Sequence, residues 1–256
     1  MTTRIVAVIP AHLASVRFPR KILYPFHGLA MIEHVRRRAL LSELVEEVYV
    51  ATCDDEIADL VSGFDGKVIP TASTHINGTS RVAEAVAGID CTHVLLLQGD
   101  EPLLLPRHVD RVAEVIVNDP EGDVWNATGP IENADELDRH SFVKCSVSTS
   151  GRILYCFRRS PSYSDLPLQQ TFTRKILGLI AYRKRVLLDV ASLPPCPIEE
   201  AELIEQLRVI ANGFTLQSVP VSPSLPSVNE PHEADVVLDY VRGDSEQRAL
   251  LERTMA

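Results

Sequence analysis

RIVAVIPAHLASVRFPRK, residues 4–21, passes from five continuous apolar positions, Ile5 to Ile9, straight into a polar, basic loop. A run that is apolar without alternation reads as a strand buried on both faces, the pattern of parallel sheets covered by helices. It is too short to serve as the apolar core of a secretion signal. Similar runs recur at Val48 to Ala51, Val68 to Ile69 and Val94 to Leu97, with helix-period segments between them near 29–42, 54–62 and 80–88. This βαβαβαβ rhythm predicts an α/β fold with a doubly wound, mostly parallel, Rossmann-like sheet. Ligands of such sheets collect where strands end, so function is expected in the loops after Ile9 and after Leu97.

Beyond about residue 120 the rhythm changes. WNATGPI, FVKCSVS and RILYCFRRS read as strands in close succession, which predicts a small mixed or antiparallel extension at about 130–185 within a single domain. A strand at 176–183, a helix at 199–211, a strand at 214–219 and terminal helices from about 230 complete the pattern, while 160–172 reads as a long loop.

Composition narrows the function classes. A chain of 256 residues with 45% hydrophobic content can bury a sizeable core, and its net charge of −10 argues against nucleic acid or an anionic membrane as partner. The charge is uneven, since residues 1–42 hold Arg4, Arg17, Arg20, Lys21, Arg36, Arg37 and Arg38 against Glu33 alone. An anionic ligand near that end fits the partition, with Arg36 to Arg38 read as the solvated face of a helix. Cys53, Cys91, Cys145, Cys156 and Cys196 are scattered without a CxxC pair, so neither a disulfide framework nor a thiolate zinc site is signalled, and a cytoplasmic location is expected.

Three segments carry candidate chemistry. In the first loop, Ser15, Arg17, Arg20 and Lys21 offer closely spaced donors suited to a triphosphate, although GxxxxGK[ST] and GxGxxG are both absent. In THINGTSRVAEAV, residues 74–86, Thr79 or Ser80 reads as a helix N-cap. Arg81 then stands in the first turn against the helix dipole, which calls for an anionic or nucleobase partner. In LLLQGDEPLL, residues 95–104, Asp100 ends a buried strand and suits Mg²⁺, which takes one or two carboxylates together with phosphate oxygens and water.

Together with PIEEAELIEQLR at 197–208 and SVNEPHEADVV at 227–237, these segments resemble the 3-deoxy-manno-octulosonate cytidylyltransferases, or CMP-Kdo synthetases, along essentially the whole chain. The resemblance implies a homodimeric nucleotidyltransferase that takes CTP and an acidic sugar, Kdo or a related ulosonic acid, and uses Mg²⁺ in making cell-surface lipopolysaccharide or polysaccharide. It assigns catalysis to Arg17, Lys21 and Asp100. It places the nucleotide on Ala11, His12, Ser15, Arg17, Lys21, Thr79, Arg81 and Gln98. It places the sugar on Arg81, Gln98, Tyr182, Glu205 and Gln206, and the metal on Asp100 and Asn229.

The sequence departs from the family pattern at His12, Arg20, Ser80 and Asn229, where the family carries arginine, glycine and, at the last two, aspartate. Ile176 and Ile180 replace a histidine and a tyrosine, whereas Tyr182 and Arg183 remain. Weaker metal binding and an altered sugar, an amino- or deoxy-substituted relative of Kdo among them, are the expectations. A catalytically impaired homologue that binds nucleotide or a partner is the second reading. A nicotinamide-dependent dehydrogenase lacks its glycine fingerprint here.

Overall fold

The computed structural model describes residues 2–255, which pack as two compact units, one running to Asp110 and resuming at Leu225, the other Arg111–Ser224. In chain order the strands are β1 Ile5–Ala11, β2 Pro25–Phe26, β3 Leu29–Ala30, β4 Glu47–Thr52, β5 Lys67–Pro70, β6 His93–Leu97, β7 Val124–Gly129, β8 Lys144–Val147, β9 Ile153–Phe157, β10 Thr173–Arg183 and β11 Leu216–Pro220. The helices are α1 Met31–Ala39, α2 Asp55–Ser62, α3 Gly78–Val86, α4 Pro106–Asn118, α5 Asp135–Asp138, α6 Leu166–Phe172, α7 Lys184–Ser192, α8 Pro197–Glu202, α9 Gln206–Ala211, α10 Glu233–Gly243 and α11 Ser245–Met255.

In the first unit β1 pairs in parallel with β4 and with β6, and β4 pairs in parallel with β5. The apolar run that opens the chain is thus a central strand, with Val6 to Ile9 wholly buried. α1 packs on β1 and β4, and α3 on β1, β4 and β6, which leaves the loops after β1, β4 and β6 at one end of the sheet. In the second unit β7 pairs in parallel with β11 and antiparallel with β10, which continues through β8 to β9 in antiparallel order. The fold is therefore the expected mostly parallel α/β class with a mixed extension.

Several local expectations are corrected. The segment 160–172 is no plain loop, because Asp165 accepts from Leu168 N and starts α6. The helix expected over 199–211 is two short helices, since Leu203 adopts a left-handed conformation (φ 56°) that ends α8. The helix expected from residue 29 begins at Met31, as Leu29 and Ala30 pair with Pro25 and Phe26.

The arginine run is not solvated either. Arg36 grips the buried Glu33 through Nε and Nη2 at 2.6 and 2.8 Å. Arg38, 1% exposed, donates to Gln247 Oε1 at 2.7 Å and to Leu104 O. Arg37 reaches Thr254 O at 2.7 Å. These cations tie α1 to its own unit and are spent on structure.

Candidate active site

The basic loop after β1 is held from both ends. Phe18 packs edge-on against Tyr24, which packs edge-on against Phe26, at 5.3 and 5.1 Å between ring centres, joining a cluster with Met31, Leu103 and Val237. Such aromatic pairs add roughly 0.5–1.5 kcal/mol beyond burial and anchor the loop that carries Arg17 and Lys21. At the other end Asp54 Oδ2 accepts from Leu13 N at 2.9 Å, and Arg20 pairs with Glu56. Asp54 occupies the N-cap position of α2 but makes no side-chain cap bond there, so its carboxylate serves the loop.

Lys21 Nζ lies 2.5 Å from Asp100 Oδ2, and both side chains are partly accessible, 14% and 21% exposed. Lys21 also donates to Val228 O at 3.3 Å, while Val228 N donates to Asp100 O at 2.9 Å. The segment after Leu225 is thereby stitched to the QGDEP turn, and Arg17 Nη2 meets Asn229 Oδ1 at 3.4 Å. Gly99 lets Ile22 and Ile32 pack close to the turn, because a Cβ there would stand 3.0 Å from Ile22 Cδ1 and 3.3 Å from Ile32 Cδ1. Glu233 Oε2, unsuspected from sequence, accepts from Asn229 N and Glu230 N at 2.6 and 3.0 Å and fixes the backbone of that segment.

Around α3, the cap is Asn77, whose Oδ1 accepts from Ser80 N at 2.9 Å, in place of the expected Thr79 or Ser80. Arg81 has protein partners of its own. Its guanidinium, 3% exposed with its residue, donates to Thr71 Oγ1 at 2.6 Å and to Ala72 O at 3.3 Å. His75 bridges Ser80 Oγ at 3.1 Å and Glu84, which itself accepts from Ala72 N. Gly78 lets α3 approach β1, since a Cβ would lie 3.1 Å from Pro10 Cγ and 3.9 Å from Gln98 Nε2.

The expected nucleotide residues of the first unit divide by exposure. His12, Arg17 and Gln98 are exposed and Ser15 and Lys21 half-buried, whereas Ala11 and Thr79 are buried and offer backbone or packing instead of side-chain contact. Desolvation by the surrounding loop, followed by the nearby Arg81 guanidinium, holds the His12 ring below its ordinary value of 6.5, with Asp54 opposing. At pH 7 it is neutral.

In the second unit the expected sugar residues also divide. Tyr182, expected on the sugar side, is 2% exposed and stands opposite Val124 in the sheet. Glu205 and Gln206 are half-buried, Glu205 at the N-cap position of α9 and Gln206 its first residue, so they do not stand one behind the other within a helix. Gln206 Nε2 donates to Asn126 Oδ1 at 3.1 Å. Arg208 of the same motif is structural, forming a buried two-pronged pair with Glu199 at 2.8 and 2.5 Å. Trp125 is core, and Tyr155 stacks on Phe157 while its hydroxyl donates to Glu202.

Comparison with known proteins places this geometry. A family model described as cytidylyltransferase matches residues 6–218. A 3-deoxy-manno-octulosonate cytidylyltransferase of Geobacter metallireducens is 37% identical, with 92% of this chain and 97% of the relative covered. One from Chlorobium limicola is also 37% identical, over 93% and 97%. The solved structure of a CMP:2-keto-3-deoxy-manno-octonic acid synthetase complexed with CTP superposes with a TM-score of 0.88 at 34% identity, covering 94% of this chain and 99% of that one. A cytidylyltransferase of Leptospira borgpetersenii shares the fold at a TM-score of 0.67 and 14% identity. With conserved architecture and near-complete coverage in both directions, the chain belongs to the 3-deoxy-manno-octulosonate cytidylyltransferases of the cytidylyltransferase family.

Proposed function

We propose that the protein transfers CMP from CTP to the anomeric hydroxyl of a 3-deoxy-2-keto sugar acid, Kdo or a close relative, and releases pyrophosphate. The observation that carries this reading is the pairing of Lys21 with Asp100 at 2.5 Å, with Arg17 meeting Asn229, in the segments that follow β1 and β6. The sugar oxygen forms a bond to the α-phosphorus, the bond from that phosphorus to the bridging oxygen breaks, and the hydroxyl proton passes to solvent. Such a transfer needs positioning and charge neutralisation more than a covalent nucleophile. Lys21 and Arg17 supply fixed cations for the phosphates, and the loop pinned by Asp54 and Phe18 presents them without reorganisation.

The donor set fits Mg²⁺ brought in on the triphosphate. Asp100 offers a carboxylate and Asn229 a neutral amide oxygen, and among the described residues no three His, Cys, Asp or Glu side chains converge as a ready-made ion site. Phosphate oxygens and water would complete the shell. Bound there, the ion would neutralise charge that builds on the leaving pyrophosphate. A homodimer acting in the cytoplasm on a precursor of lipopolysaccharide belongs to the same proposal. No helix among the described residues is long and apolar enough to cross a membrane.

Pyrophosphate release by the purified protein with CTP, Mg²⁺ and a panel of ulosonic acids, including Kdo and its 8-amino analogue, tests the reading. Release that requires CTP together with one sugar is expected. CTP binding without release for any sugar would favour a binding homologue instead.

A further inference from the structure

The strand partner of Asn126 is irregular. β10 pairs Ile176 with Thr128 and Ile180 with Asn126, so it spends four residues where β7 spends two, and the carbonyls inside the bulge lose their ladder partners. Asn126, fully buried, donates from Nδ2 to two carbonyls inside the bulge, Leu177 O at 2.9 Å and Leu179 O at 3.3 Å, and to Ala127 O on its own strand at 2.9 Å. Carbonyl oxygens only accept, so Nδ2 must face them and Oδ1 must face the other way.

That orientation propagates to Gln206. Because Oδ1 of Asn126 can only accept, Gln206 must present Nε2 to it, as the 3.1 Å contact has it, and Oε1 of Gln206 is turned away from Asn126. A glutamine amide free to flip would offer either a donor or an acceptor to a ligand. This one is locked through a buried neighbour whose own flip would set an oxygen against three oxygens.

We propose that Asn126 is a positioning residue for sugar selection. By fixing the Gln206 amide it makes Gln206 a hydrogen-bond acceptor toward the sugar, so the site selects a hydroxyl or protonated amine at the sugar position that meets Gln206 and rejects a group that cannot donate. The proposal rests on the reading of the protein as a sugar-acid cytidylyltransferase in which Gln206 touches the sugar.

The test compares Michaelis constants for sugar and for CTP in the wild type, Asn126→Ser, Gln206→Ala and the double variant, with thermal midpoints alongside. Asn126→Ser is expected to raise the sugar KM about tenfold and leave the CTP KM within about twofold. In the Gln206→Ala background the same change should add nothing to the sugar KM. Additive effects, or a common loss of turnover that follows the thermal midpoint, would overturn it.

Should Asn126→Ser fail to fold, sugars carrying fluorine for one hydroxyl at a time give the answer with the wild type. One position should lose about tenfold in kcat/KM, recover it with an amine, and lose nothing in Gln206→Ala. No such position would overturn the proposal. Turnover with no sugar at all would overturn the cytidylyltransferase reading together with it, whereas turnover with additive variants overturns this inference alone.

Discussion

In the unit that carries the basic loop, Lys21 and Asp100 meet at 2.5 Å with 14% and 21% of their side chains exposed. In the unit Arg111–Ser224, the residue that meets Gln206 is Asn126, which is neutral and fully buried. Partly exposed charges can exchange partners with an incoming anion at modest cost, because water and the ligand share their solvation. A buried amide has no such freedom, and an unmade bond there costs the whole desolvation of the group. One region is suited to gather charge and the other to enforce the direction of a hydrogen bond, which matches a triphosphate in the first case and a polyhydroxyl sugar in the second.

The largest expected effect breaks the charged half. Asp100→Ala removes the carboxylate and leaves Lys21 without its anion, and pyrophosphate release should fall on the order of 10²–10³-fold. A far-UV spectrum should stay unchanged, because the lost group is accessible to water. A rate within a few fold of wild type would show that the pair is not where the chemistry is supported.

A change of similar size should spare function and damage stability. Arg208→Ala leaves the Glu199 carboxylate, 8% exposed, without its two-pronged partner. Removing one member of such a pair costs about 3–5 kcal/mol, read as a shift in the denaturant midpoint. CTP affinity of the folded protein should be unchanged, since both residues belong to the unit 111–224.

The smallest effect concerns His12. Its folded value lies below 6.5, so the ring is neutral at pH 7 and gains a charge only as pH falls further. CTP affinity should therefore rise as pH is lowered beneath that value, and His12→Asn should flatten the rise. His12→Arg, with a permanent charge, should tighten CTP a few fold at pH 7.5, on the order expected of one partly exposed charge-assisted contact.

The alternation of buried strands and helices was legible because it is written in continuous apolar runs, Ile5 to Ile9 foremost, that no other architecture buries as well. The end of β6 was legible for the same reason, as an apolar strand stopping at Gln98, Gly99 and Asp100. What local pattern could not carry was long-range pairing. Arg36 and Arg38 look solvated until Glu33, Gln247 and the Leu104 carbonyl are folded onto them.

Arg81 looks unpartnered until the Thr71 hydroxyl and the Ala72 carbonyl are folded onto it. Nothing in the local pattern marks Asp54 as a loop anchor, Tyr182 as a buried sheet residue, or Asn126 as more than a strand residue. Their roles depend on a loop 41 residues away, on burial within the sheet, and on a bulge in β10 that no spacing announces. The left-handed Leu203 that splits the helix expected at 199–211 is equally silent, because it is no glycine.

The most direct measurement is CTP affinity by titration calorimetry, without sugar, for the wild type, Lys21→Met and Gln206→Ala. A division of labour between a charge-built nucleotide region and an amide-built sugar region requires Lys21→Met to lose about tenfold or more and Gln206→Ala to bind CTP as the wild type does. Equal losses in the two variants, or none in Lys21→Met, would contradict it.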